Sequence, residues 1–173
     1  MGHTTIRRLL APQIFFISVL LSAQALAFDV GGLSYDVINT TDVEVTGRAS
    51  GNSATDINIP DTVTSNGTTY SVTTIGDWAF SYTNLSSLTI GNNVTTIGYA
   101  AFAFENLNSL TIPDSVTTIG DQAFAFNNTL TSLTIGSSVT TIGYAAFYDN
   151  ELISLTLPDS VETIGDYAFA ANN

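Results

Sequence analysis

From Leu85 onward, apolar and polar positions follow one scheme four times over. Leu-x-Ser-Leu-x-Ile/Leu recurs at Leu85, Leu107, Leu130 and Leu152. In Leu107-Asn-Ser-Leu-Thr-Ile112 the apolar residues at 110 and 112 alternate with polar neighbours, which predicts a half-buried strand. Pro113-Asp114 or Gly91-Asn92 then turns the chain. Val116 and Ile119 point back inward, and Gly120 relieves a tight backbone position. Asp121 is placed to cap a short helical turn carrying Ala123 and Phe124. The Ile of each Thr-Ile-Gly stands at 75, 97, 119, 142 and 164, a period of 22 or 23 residues. Such a period marks a solenoid, because one repeat cannot bury its own apolar face and must stack on its neighbours. Stacking places Phe80, Phe102, Phe124, Phe147 and Phe169 in one interior column, each ring worth roughly 1.5–3 kcal/mol on burial.

The repeats also alternate. Ile-Gly-Asp-x-Ala-Phe (75–80, 119–124, 164–169) takes turns with Ile-Gly-Tyr-Ala-Ala-Phe (97–102, 142–147). Pro-Asp-Ser-Val alternates in step with Gly-Asn-Asn-Val and Gly-Ser-Ser-Val. Residues 84–128 laid over 129–173 give 32 identities in 45 positions without a gap, so a two-repeat unit was duplicated whole. The extra residue around Asn127 to Thr129 falls at the seam.

The two ends differ from this scheme. Phe28 to Ala49 reads as short strands around a Gly31-Gly32 turn, and Ile57 to Val63 as a degenerate first repeat lengthened by a Ser65-Asn-Gly67 turn. Residues 28–70 are therefore expected to cap the stack, with 71–173 forming the repeats. The chain stops at Asn173, where another Leu would begin, so the last apolar layer is expected to lie uncapped, in a longer protein or in end-to-end pairing. At the other end, Arg7-Arg8, the apolar run Ile14 to Leu21 and Ala25-Leu26-Ala27 read as a secretory leader over 1–27, with Ala23-Gln24-Ala25 as a second cleavage site. The run is too short to span roughly 30 Å of hydrocarbon. Export is expected, with no membrane insertion after cleavage.

Charge narrows the chemistry. Residues 28–173 hold all fifteen acidic residues and one basic residue, Arg48, a formal charge of −14. Nucleic acid and anionic membrane are poor partners for such a surface, because phosphate binding needs Lys and Arg. The segment has no Cys, His or Lys. That removes disulfides, Ser-His and Cys-His nucleophiles, Schiff-base lysines and the nitrogen and sulfur ligands of metal sites. Repeated carboxylates such as Asp114 and Asp159, or Asp121 and Asp166, are explained by turns and caps, so no enzyme and no cofactor is expected. Calcium on the Asp turns lacks the Gly-Gly-x-Gly-x-Asp repeat of calcium β-rolls.

Leu-x-Ser-Leu-x-Ile-Pro-Asp-Ser-Val-x-Thr-Ile-Gly-Asp-x-Ala-Phe, carried best by 107–124 and 152–169, resembles the BspA-type leucine-rich repeat. Tyr35-Asp-Val, Val43-Glu-Val-Thr-Gly and Thr69-Tyr-Ser-Val-Thr-Thr-Ile-Gly are similar to the opening of such proteins. The resemblance implies a leucine-rich-repeat arc with a parallel β-sheet on the concave side and short helical turns on the convex side. It also implies an exported or cell-surface protein, several relatives being regarded as adhesins. The family often has Cys three residues after the Ala-Phe phenylalanine, where this chain has Thr83, Glu105, Asn127, Asn150 and Asn172; the change is not expected to alter the fold.

On such a sheet the outward positions are Ser87, Thr89, Ser109, Thr111, Ser132, Thr134, Ser154 and Thr156. Parallel stacking at about 4.7–4.9 Å is expected to turn them into two polar ladders. Small hydroxyls that donate and accept fit an extended peptide, a glycan or a protein loop. The expected function is thus a non-enzymatic module binding a protein or cell-surface partner through its concave face. Two rivals stand beside it: a hydroxyl lattice matching glycan or ice, and a structural spacer. Tyr82, Phe104 and Phe126, and Trp78, Tyr99, Tyr144 and Tyr167, are interface anchors by type, but packing between coils is the expectation for most of them.

Overall fold

The computed structural model describes residues 26–173. The Arg7-Arg8 start, the apolar run and the Ala23-Gln24-Ala25 site lie outside the described residues, and Ala27 opens the first strand. The strands are β1 (Ala27–Val30), β2 (Leu33–Val37), β3 (Asp42–Arg48), β4 (Asp56–Asn58), β5 (Thr62–Ser65) and β6 (Thr68–Ile75). They are followed by β7 (Ser87–Thr89), β8 (Thr96–Ile97), β9 (Ser109–Thr111), β10 (Thr118–Ile119), β11 (Ser132–Thr134), β12 (Thr141–Ile142) and β13 (Thr163–Ile164).

One nine-stranded sheet runs β1-β2-β3-β6-β8-β10-β12-β13, with β5 paired on β6. β1, β2 and β3 are antiparallel neighbours, and from β3 onward along this path the pairing is parallel. Asn66 and Gly67, both left-handed at φ 50° and 82°, close the β5–β6 hairpin in the manner of a type I′ turn. In the parallel part Ile75, Ile97, Ile119, Ile142 and Ile164 stand in register, one per coil, and the first four are fully buried. The Ser-Leu-Thr segments were expected to carry the continuous sheet. The long ladder runs instead through Thr-Ile, and the Ser-Leu-Thr segments form two separate parallel pairs, β4–β7 and β9–β11.

The alternation of the repeats accounts for that pairing in twos. A Gly-type coil stacked after a Pro-Asp coil can approach closely, since a Cβ on Gly91 would stand 2.8 Å from the Pro60 carbonyl carbon, and Gly136 sits likewise against Pro113. Here the Ile before the proline donates into the next coil, Ile59 N–H to Thr89 O and Ile112 N–H to Thr134 O, both at 2.9 Å. Asp61 and Asp114 also reach forward, accepting the N–H of Asn92 (2.5 Å) and of Ser137 (2.6 Å). At the reverse interface the Pro-Asp coil brings a pyrrolidine ring and no N–H, and β7 forms no ladder with β9.

The segments after each Thr-Ile-Gly differ from expectation too. Among the described residues there is no helix; the expected helical turns are runs of β-turns. The Gln122, Phe124 and Phe126 N–H groups donate to Tyr144, Ala146 and Tyr148 carbonyls of the next coil, each at 2.8 Å. Only the intervening Ala123 and Ala125 N–H groups bond locally, to Gly120 and Gln122. An α-helix directs every N–H to its own i−4 carbonyl, so stacking and helix compete for the same donors, and stacking wins. Alternate peptides flip through left-handed residues, Gln122 at φ 56° and Phe126 at 61°. Asp121 accordingly caps no helix: its Oδ1 accepts the Tyr144 N–H at 2.7 Å. Gly120 does occupy a tight position, with a Cβ there meeting Gly98 backbone at 2.8 Å.

The core is the expected phenylalanine column. Phe80, Phe102, Phe124 and Phe147 are fully buried and Phe169 is half-buried. Successive rings lie 5.2–5.3 Å apart with interplanar angles of 1–8°, an offset stack inside the favourable range for aromatic pairs. Val94, Val116 and Val139 are fully buried in the same core.

Candidate binding face

All eight sequence-predicted hydroxyls are exposed. Ser87 and Thr89 lie on β7, Ser109 and Thr111 on β9, and Ser132 and Thr134 on β11. Strand alternation turns Leu88, Leu110 and Leu133 inward between them. β9 and β11 align Ser109 with Ser132 and Thr111 with Thr134. β7 belongs to the other pair, where Ser87 faces Asp56 and Thr89 faces Asn58. Ser154 and Thr156 lie outside any strand, across a Gly-to-Pro-Asp interface like that between β7 and β9. The two unbroken ladders expected from the sequence are therefore interrupted, for the stacking reason given above.

A groove crosses this face. A cavity of about 620 Å³ lies across β7, β9 and β11, with Thr89, Ser109, Thr111 and Thr134 on its walls and Leu88 and Ile112 among its apolar lining. A second opening of about 320 Å³ joins Thr134 to Thr156 beside Pro158. Asp114 lines the larger groove, and its carboxyl is held below the usual carboxylate range by the Ser137 backbone N–H and hydroxyl. The groove thus keeps a fixed negative charge beside neutral hydroxyls. Elsewhere, the Thr95, Thr117 and Thr140 hydroxyls each donate to a carbonyl of the preceding coil at 3.2 Å. The groove hydroxyls stand clear of such bonds and are available to a partner.

The residues at the family's Cys position do more than the sequence suggested. Asn127 is fully buried and its Nδ2 donates to the Phe102 carbonyl (2.9 Å) and the Phe124 carbonyl (3.1 Å). The Asn150 Oδ1 accepts the Asn127 N–H at 2.9 Å, and Asn172 repeats the pattern on Phe147 and Phe169. Glu105 takes the same position, accepting the Thr83 N–H (2.7 Å), the Thr83 hydroxyl and the Leu85 N–H. Arg48 donates from Nη2 to the Thr83 carbonyl at 2.8 Å. Burial raises the Glu105 pKa, against the pull of those donors and of Arg48. The signal was present in the sequence, since a polar residue repeating at a core-adjacent position demands partners.

Among the described residues no group of three His, Cys, Asp or Glu is placed to hold a metal ion, and no helix is long and apolar enough to cross a membrane. The geometry is that of a stacked repeat solenoid presenting surfaces, with a groove on its Ser-Leu-Thr side.

The class of protein is a leucine-rich-repeat solenoid. The chain belongs to the BspA-type leucine-rich-repeat family, whose repeat model matches six copies over residues 49–173. Leucine-rich-repeat proteins of this family are typically interaction or surface proteins, generally non-enzymatic scaffolds. The fold is similar to that of a leucine-rich repeat protein from Bacteroides capillosus ATCC 29799, with 29% identity and TM-score 0.55 over 85% of this chain and 92% of that one. It is also similar to the pneumococcal vaccine antigen PcpA, with 22% identity and TM-score 0.64 over 86% of this chain. The chain spans about half, 48%, of that antigen's length. A search of curated proteins finds no match.

Proposed function

We propose that this protein is an exported, non-enzymatic adhesion module that binds a protein or cell-surface partner through its Ser/Thr face, the expected concave side. The observation that carries the reading is the groove across β7, β9 and β11, walled by Thr89, Ser109, Thr111 and Thr134 and open to solvent. Hydroxyls beside the half-buried Leu88 suit an extended polypeptide, whose backbone finds donors and acceptors while a side chain meets Leu88. Affinity then comes from many modest contacts spread over several coils. The interrupted ladders lack the even lattice that ice or an ordered polysaccharide requires, which favours protein over those rivals. Export rests on the leader-like residues 1–27 and on the family's surface proteins.

The test is a binding screen of residues 28–173 against immobilised extracellular-matrix and cell-surface proteins and polysaccharides, at low and high salt. Salt matters because a −14 segment produces charge-driven association that screening removes. Saturable, salt-resistant binding to a protein supports the proposal. A folded sample that binds only polysaccharide, or nothing, refutes it.

A further inference from the structure

A second face carries a row of exposed aromatic side chains. Trp78, Tyr99, Tyr144 and Tyr167 are all exposed, Trp78 at 49% and Tyr167 at 62%. They stand one or two residues after the Gly of four of the five coils, with Gln122 in the middle coil, so they line one side of the stack. Trp78 meets Tyr99 edge-to-face at 5.1 Å, and Tyr144 meets Tyr167 the same way at 5.8 Å. Gln122 bridges the two pairs, accepting the Tyr99 hydroxyl at 2.9 Å and donating its backbone N–H to the Tyr144 carbonyl. Trp78 and Tyr167 hold left-handed backbone, φ 59° and 61°, where a bulky side chain is disfavoured and Gly or Asn fits at less cost. Neither the backbone nor the core calls for an exposed indole or phenol at these two positions.

Carboxylates interleave with the rings. Asp77, Asp121 and Asp166 are exposed beside them, and Asp77 and Asp121 each use Oδ1 to accept the next coil's Tyr N–H at 2.7 Å. At the Trp78 end, burial raises the Glu44 pKa, and the neighbouring charges of Asp36 and Asp77 raise it further. The one basic residue of the described chain, Arg48, is turned to the Thr83 carbonyl on another part of the coil.

We propose that this aromatic–carboxylate stripe is a second interaction face that docks a lysine- and arginine-rich polypeptide segment. Ring faces attract guanidinium and ammonium groups by their quadrupole, and the flanking carboxylates complete their charge. Charge complementarity selects this occupant, since the stripe offers anions and π-faces and no cation of its own.

Trp78 is the only tryptophan of the chain, so its fluorescence reports directly on the stripe. The experiment titrates the purified protein with an octa-arginine peptide at about 0.15 M salt, where the Debye length is about 8 Å. A saturable change in Trp78 emission is expected. Asp77→Asn with Asp121→Asn keeps the oxygen that accepts each Tyr N–H and removes two charges; it should weaken binding about tenfold, and Tyr99→Ser comparably. Asp56→Asn with Asp159→Asn removes the same charge on the Ser-Leu-Thr side and should weaken it less than about threefold. The proposal is overturned if emission does not respond at saturating peptide. It is equally overturned if the remote pair weakens binding as much as the stripe pair, or if a neutral oligosaccharide gives the saturable response and octa-arginine does not. The readout is independent of the Ser/Thr groove, so either face can fail alone.

Discussion

The Asp121 carboxylate accepts the backbone N–H of Tyr144 in the next coil at 2.7 Å, and Asp77 makes the same bond to Tyr99. This is the physical content of the Asp/Tyr alternation: the Asp coil supplies an acceptor that the Tyr coil receives. Asp121→Ala should therefore lower stability by about 1 kcal/mol, and Asp121→Asn, which keeps the acceptor, by less than half of that. Urea unfolding of the three proteins measures the difference. Equal losses in both variants would assign the effect to charge rather than to the bond.

Gly143 is a closer constraint. A Cβ there would stand 2.5 Å from the Asp121 nitrogen and 2.6 Å from the Gly120 carbonyl carbon. Both are backbone atoms that cannot swing aside, so Gly143→Ala should force the coils apart at a cost above about 2 kcal/mol. Gly51, at φ 82° with nothing within 4 Å, is the control. Gly51→Ala should cost only backbone strain, about 1 kcal/mol. Denaturation midpoints of the pair separate packing from conformational preference.

Glu105 gives a pH dependence of definite sign. Burial raises its folded-state pKa above the ordinary 4.5, so folding favours the protonated form. Its contribution is fully present below the unfolded value and is lost as pH rises through the folded one. Lowering the pH from about 7 to about 5 should stabilise the parent protein more than Glu105→Gln, whose side chain does not titrate. Thermal unfolding of both proteins across that range checks it. A parallel response would show that Glu105 does not contribute.

The pairing of the Ser-Leu-Thr segments in twos should be visible in amide exchange. The Ile112 N–H is bonded to Thr134 O at 2.9 Å, whereas β7 and β9 form no ladder across which Ile90 could do the same. Ile112 should exchange at least about tenfold more slowly than Ile90. Equal protection would mean that the sheet is continuous on this side.

Features whose physics is local to one repeat were legible in the sequence. The Phe column follows from apolar periodicity, and the tight place of Gly120 from its spacing. The β5–β6 hairpin follows from Asn66-Gly67, and the exposure of the six hydroxyls on β7, β9 and β11 from strand alternation. What escaped belongs to the contact between coils. Asp121 ahead of Ala123 and Phe124 has the look of a helix start, yet neighbouring carbonyls take the Gln122, Phe124 and Phe126 N–H groups. Asn127 stands where the family often has Cys, and its amide holds the Phe102 carbonyl of the preceding coil as well as that of Phe124. The pairing in twos was foreshadowed by Pro113 alternating with Gly91 and Gly136, a difference in how closely coils can approach that periodicity alone does not report.

The most direct measurement of the central claim is the affinity of Ser109→Glu with Thr134→Glu for the protein partner captured in the screen, against that of the parent. Both side chains stand in the groove wall and are exposed, so the fold should survive, which circular dichroism and unfolding would confirm. Two bulky charges in the groove should weaken binding by at least about a hundredfold, near 3 kcal/mol. Undiminished affinity in the folded double variant would contradict the assignment of the Ser/Thr face as the binding surface.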